Sequence, residues 1–151
     1  MLQPTVPLPW RSTNAIPLTP ELIAHTHENP LLITDDDAIV LKLYKVLIGR
    51  AGLNAIFTPR AVEALQICKT QPISALITDI CKPELSGLEL LAAIRNTPGF
   101  SKLPVAIITA SNTHINILKA RELQAPLVAK PIDPKELLSL LAYLIQRSAG
   151  T

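Results

Sequence analysis

The sequence predicts an α/β fold in which a parallel sheet is buried between two layers of helices, a three-layer α/β/α sandwich. Three observations predict it. Short apolar runs of strand length recur along the chain, at Leu31-Leu32-Ile33, Ala75-Leu76-Ile77, Val105-Ala106-Ile107-Ile108 and Leu127-Val128-Ala129; unbroken runs of this kind mark strands buried on both faces. Segments with helical spacing of apolar residues alternate with them. Finally, 48% of the 151 residues are apolar but only 3% aromatic, so Leu, Ile, Val and Ala must build the core, as they do where helices pack on parallel strands.

The elements follow in order. Residues 1–29 form a leader rich in proline (Pro4, Pro7, Pro9, Pro17, Pro20), read as an extension outside the core because proline interrupts regular structure. Within it Thr19-Pro20 supplies a capping hydroxyl and a first-turn proline for a short helix to about His25. The first strand covers residues 31–35. The next helix carries Val40, Leu43, Tyr44, Leu47, Ile48 and Ala51 as its inward stripe and stops at Gly52. A strand at 54–57 leads to Thr58-Pro59, which opens a helix with Ala61, Ala64, Leu65 and Cys68 inward.

The third strand, 73–78, is followed by a loop with Pro83 and Gly87 and a helix marked by Leu88, Leu91 and Ile94. The fourth strand, 104–109, precedes a weaker helix over about 113–123, and the fifth strand spans 126–130. Asp133-Pro134-Lys135-Glu136 combines a cap, a first-turn proline and an acidic third residue, starting a last helix that runs to about Gln146. Five such βα units with short links imply right-handed crossovers and a single core, and 151 residues suffice for one domain.

Composition narrows the function. Fourteen Lys and Arg against twelve Asp and Glu give a formal charge of +2, and the basic residues are scattered, so no nucleic-acid footprint is visible. No apolar run approaches the roughly 18 residues of a membrane span, and no signal sequence opens the chain. Cys68 and Cys81 lack metal-type spacing, which suits a reducing cytoplasm. A soluble, cytoplasmic protein is expected.

Polar residues stand just past the apolar runs: Asp35 and Asp36 after the first, Asp79 after the third, Thr109 after the fourth and Lys130 after the fifth. Parallel strands deliver all of them to one carboxyl edge, where open α/β sheets form their binding crevice. Three carboxylates, a hydroxyl and an ammonium are the equipment for holding a divalent cation and accepting a phosphoryl group. Singly, each has a plainer explanation: the Asp run as helix caps, Asp79 as a turn former, Thr109 as a cap, Lys130 as a solvated charge. Their convergence in chain order favours a site.

Residues 30–147 resemble the receiver domain of two-component response regulators. The resemblance rests on Leu32-Ile33-Thr34-Asp35-Asp36-Asp37, on Leu76-Ile77-Thr78-Asp79-Ile80-Cys81-Lys82-Pro83 leading to Gly87-Leu88-Glu89-Leu90, on Pro104-Val105 through Thr109-Ala110, and on Lys130-Pro131-Ile132. It implies a flavodoxin-like (CheY-like) doubly wound five-stranded parallel sheet of order 2-1-3-4-5. It also implies that Asp79 is the phosphoacceptor and that Asp35, Asp36, Asp79 and the Cys81 carbonyl hold Mg²⁺. Lys130 then pairs with the acyl phosphate, Thr109 bonds a phosphoryl oxygen, small Ala110 leaves room for it, and the Lys130-Pro131 bond is cis. Two departures stand out. Leu127 occupies the switch position where many members carry Tyr or Phe, and Cys81-Lys82 follows the acceptor in place of a Met pair.

The implied partners are a sensor histidine kinase or phosphotransfer protein and a downstream protein target, with output through the fourth helix, fifth strand and last helix of the core. Only residues 148–151 follow the last helix, so the expectation is a stand-alone receiver, a fragment of a longer protein being the other reading. It is no enzyme beyond its own phosphorylation and dephosphorylation. Leu137, Leu138, Leu140, Leu141, Tyr143, Leu144 and Ile145 wrap more than one face of the last helix, which leaves open a homodimer through that helix or burial by its own sheet and leader. Two other functions compete. One is a phosphorylation-independent adaptor or binding module. The other is a haloacid dehalogenase-like phosphatase, weakened because it leaves Asp79 unexplained.

Overall fold

The computed structural model describes residues 9–10, 15–81 and 84–150. Pro4 and Pro7 of the leader, the motif residues Lys82 and Pro83, and Thr151 lie outside the described residues. Helix α1 (Pro20–Glu28) precedes an alternating series: β1 (Leu31–Thr34), α2 (Ala38–Arg50), β2 (Ala55–Thr58), α3 (Ala61–Thr70), β3 (Ala75–Thr78), α4 (Gly87–Arg95), β4 (Val105–Thr109), α5 (His114–Glu122), β5 (Leu127–Ala129) and α6 (Pro134–Ala149). All strands are parallel, in the order β2-β1-β3-β4-β5. The three inner strands are buried along their whole length, so they read as unbroken apolar runs. The edge strands β2 and β5 are partly covered.

One core cluster gathers Leu31, Ile33, Ile77 and Ile108 with α2 and α6 on one face of the sheet. The other gathers Leu32, Leu76 and Ile107 with α3, α4 and α5. Alternate residues of each strand point to opposite faces, which is how one four-residue run serves both clusters.

Helix starts follow their caps. The Thr19 hydroxyl accepts from Leu22 N at 3.3 Å with Pro20 at the first position. Ser86 and Glu89 form a reciprocal capping box on α4, Thr113 caps α5 and Asp133 caps α6. Each cap satisfies first-turn amides that have no partner within the helix.

Two expectations change. On α2, Tyr44 and Ile48 face the core, whereas Leu43 is 52% exposed and aligns with Ile39 and Val46 in a second, outward stripe. Successive helical residues turn by about 100°, and that turn carries Leu43 off the edge of the core face while Val40, Leu41 and Leu47 still pack against it. The described part of the leader is not outside the core either. Trp10 is 2% exposed and Leu22 is buried, both in the cluster with α6, and Ile16, Leu18 and Ile23 pack against it. That packing, with the sheet beneath, buries Leu137, Leu140, Leu141, Leu144 and Ile145. Most of the apolar surplus of α6 is thus covered within one chain, with Leu138 and Tyr143 partly buried.

Candidate functional site

Register places the carboxylates. Thr34, the last residue of β1, pairs with Thr78, the last of β3, so Asp35 and Asp79 leave adjacent strands side by side. Thr109 pairs with Ala129, which delivers Lys130 to the same edge, its amide bonded to the Thr109 carbonyl. The Lys130 ammonium donates to Asp35 Oδ2 at 2.7 Å and to Asp79 Oδ2 at 2.6 Å. Both carboxylates are buried, while the lysine side chain is 18% exposed.

The three successive aspartates divide their labour. Asp37 is the cap of α2, its Oδ1 accepting from Ile39 N and Val40 N. Asp35 accepts the Asp37 amide on Oδ1 and turns its other oxygen to Lys130. Asp36 is exposed, and one oxygen each of Asp35, Asp36 and Asp79 lies within 4.8 Å of the others. The plain capping explanation therefore belongs to Asp37. Three carboxylates and one ammonium leave two negative charges in excess, a hard, all-oxygen donor set of the kind that suits Mg²⁺ or another hard divalent cation. The residues present fit such an ion.

Burial alone would push the Asp79 carboxyl up, but the Lys130 hydrogen bond, the Thr109 hydroxyl, the Lys130 charge and the Cys81 amide together hold it below its ordinary value. Lys130 shows the mirror image: burial disfavours its charge, and Asp35 and Asp79 override this and raise its pKa. Both shifts favour the ionised forms, a carboxylate facing an ammonium. Tyr44, buried on α2 beneath the site, is pushed up to about 12 by burial, with Lys130 opposing and Asp35 and Asp79 reinforcing. Its position in the field of the site was not legible from a helical stripe.

The loop after Asp79 is shaped by a close approach. A Cβ on Gly87 would lie 1.9 Å from the Asp79 carbonyl oxygen, and the Gly87 amide donates to the Ile80 carbonyl at 3.0 Å. Only glycine permits this contact. The amides of Ile80 and Cys81 both donate to Asp79 Oδ1, fixing the carboxylate plane. Arg60, at the start of α3, makes a two-pronged ion pair with Glu84 in the same loop, at 2.8 and 2.9 Å.

Of the remaining expected residues, Thr109 is fully buried and its hydroxyl accepts from Ser111 N. Ala110 follows it, exposed, and Cys81 is exposed with a free thiol. Leu127 opens β5 opposite Ile107 and packs with the α3, α4 and α5 side of the core, away from the carboxylates. The Lys130-Pro131 bond is cis, as the resemblance implies. A cleft of about 620 Å³ lies at the other end of the sheet, lined by Arg95, Lys102, Pro104, Pro126 and Arg147 among others. It is remote from this chemistry, and Arg95 there is already bonded to the carbonyls of Ser101, Leu103, Leu123 and Gln124.

A doubly wound parallel sheet whose carboxyl edge gathers an acidic triad and a lysine is the class of protein that the receiver resemblance implies. Residues 31–142 match the response regulator receiver domain, and the chain belongs to that family. Among curated relatives, it is 30% identical over 118 residues to the "Probable transcriptional regulator ycf29" of Pyropia yezoensis, covering 78% of this chain and 53% of that one. It is 29% identical over 121 residues to the transcriptional regulatory protein CpxR of Escherichia coli K12, covering 80% and 50%. The chain thus spans about half the length of each of these two relatives. The receiver domain of the Francisella response regulator 1452 superposes with a TM-score of 0.71 at 24% identity, over 78% of this chain and 96% of that one, a likeness of fold. Among the described residues no helix is long and apolar enough to cross a membrane.

Proposed function

We propose that this chain is a cytoplasmic receiver that accepts a phosphoryl group on Asp79 from a sensor histidine kinase or a phosphotransfer protein and passes its state to a protein target in a phosphorelay. The observation that carries the reading is the ionised Asp79 carboxylate, held by Lys130 at 2.6 Å and grouped with Asp35 and Asp36. An Asp79 oxygen forms a bond to phosphorus as the bond from phosphorus to the donor imidazole nitrogen breaks. That nitrogen keeps the bonding pair and takes a proton from solvent.

Asp35, Asp36 and Asp79, with the Cys81 carbonyl, are the groups that would hold magnesium. When bound, the ion supplies positive charge against the transferring phosphoryl oxygens. Lys130 orients the acceptor and supplies a second positive charge, while Thr109 and small Ala110 border the space where the phosphoryl group arrives. Output then runs through α5, β5 and α6, because Thr109 and Lys130 lead directly into them.

The test is intact mass after incubation with Mg²⁺ and acetyl phosphate. One added phosphoryl group, stable to acid, labile to alkali and lost in Asp79→Asn, is expected. An unchanged mass would sink the acceptor reading and favour a phosphate-independent adaptor.

A further inference from the structure

The described part of the leader runs along α6 as a strap with fastenings at both ends. Near the start of α6, Trp10 Nε1 donates to Glu136 Oε2 at 3.2 Å and its ring meets Tyr143 at 5.2 Å between centroids. The Ile16 amide donates to Ser139 Oγ at 2.9 Å. Near the end of α6, His25 Nε2 bonds Ser148 Oγ at 3.1 Å. The strap then crosses to the far end of α2, where His27 Nε2 donates to the Gly52 carbonyl at 3.0 Å and Thr26 Oγ1 accepts from Asn54 N at 3.0 Å.

The two bodies it joins both begin at the acidic site. Helix α2 starts directly after Asp35, Asp36 and its cap Asp37, and α6 starts four residues beyond Lys130, at Pro134. In this state one further link joins them at the site: Lys130 bonds Asp35 at the base of α2. The strap and the Lys130-Asp35 pair therefore hold the same two helices, from opposite ends.

We infer that the strap is a phosphorylation-linked latch: it fits the arrangement in which Lys130 binds Asp35 and Asp79, and it loosens when the site is occupied. This rests on Asp79 being the acceptor. Phosphorylation converts the Asp79 carboxylate to an acyl phosphate, and Asp35 is one of the carboxylates that would hold a cation there, so both partners of Lys130 would change together. A shift of the β5-α6 junction moves Glu136 in the first turn of α6, where Trp10 is fastened. Because coupling between two binding events is reciprocal, a loosened strap must in turn favour the occupied site.

Trp10 is the only tryptophan of the chain, so it reports on its own docking. The full-length protein is titrated with beryllofluoride in Mg²⁺, with binding followed by fluorine NMR and Trp10 followed by emission and acrylamide quenching. The expected result is a red shift with a quenching constant that rises at least about twofold, and roughly fivefold tighter mimic binding in Trp10→Ala. Ser139→Ala, which keeps the tryptophan and removes only the acceptor of the Ile16 amide, should shift both readouts in the same direction. Bound mimic with unchanged Trp10 emission and quenching, or unaltered mimic affinity in both folded variants, would overturn the latch. Absence of a bound-mimic resonance would overturn the acceptor reading and the latch with it.

Discussion

Gly87 lies so close to the backbone of Asp79 that a methyl group in place of its hydrogen would stand 1.9 Å from the Asp79 carbonyl oxygen and 2.7 Å from the carbonyl carbon. These are main-chain atoms, which cannot rotate aside. Gly87→Ala must therefore move the start of α4 or the end of β3, and the latter carries the acceptor. Loss of about 3 kcal/mol of stability is expected, the upper part of the range for overpacking, together with loss of phosphorylation. Urea unfolding and acetyl phosphate labelling of the same sample check both. A stable variant that labels normally would show that the loop has slack.

Lys130→Ala removes the counter-charge from two buried carboxylates. Removing one partner of a buried pair typically costs about 3 to 5 kcal/mol, and here the lower end is expected because the lysine is partly exposed. Added Mg²⁺ should return part of the loss, since a cation can neutralise what the ammonium no longer does. Denaturation with and without Mg²⁺ separates this from simple loss of packing: a deficit that Mg²⁺ leaves untouched would point to packing.

Stability should fall at both pH extremes for identifiable reasons. Asp79 is held below its ordinary value in the fold, so its contribution is present above about pH 3.9 and lost as pH falls through the folded value. Lys130 is raised, so its contribution is complete below about pH 10.4 and lost as pH climbs through the higher folded value. Tyr44, raised to about 12, adds a loss that begins near pH 10. Urea midpoints across pH should show the acid arm flattened in Asp79→Asn and the alkaline arm flattened in Tyr44→Phe.

Much of this architecture could be read from the sequence, for a physical reason. The runs that became β1, β3 and β4 are covered on both faces, so nothing polar interrupts them, and the register of parallel neighbours then aligned Asp35 with Asp79. Leu43 was misplaced because α2 carries apolar residues on two faces and periodicity does not say which one meets the sheet. Docking of the leader on the last helix was legible only as one of two readings, because proline argues against regular structure, whereas Trp10 is held by Glu136 and Tyr143, more than 120 residues away. Local propensity carries no information about such a pairing. The separate roles of Asp35, Asp36 and Asp37 also needed coordinates, since three identical side chains differ only in where the backbone aims them.

Asp36 offers the cleanest probe of the cation. It is exposed, and the Ile39 and Val40 amides at the start of α2 are already capped by Asp37, so Asp36→Asn should change metal-free stability by no more than about 0.5 kcal/mol. In the unaltered protein, Mg²⁺ at a hundred times its dissociation constant should stabilise by about 2.7 kcal/mol. For a chain of this size that is a rise in Tm of roughly 5 to 11 °C, at about 2 to 4 °C per kcal/mol. Asp36→Asn should shift the Mg²⁺ dependence to higher concentration, because one of three carboxylates no longer carries charge and, with Lys130 in place, the negative excess at the site is halved. Thermal melts over a Mg²⁺ series test this directly. Identical dependence in both proteins would exclude Asp36 from the cation site.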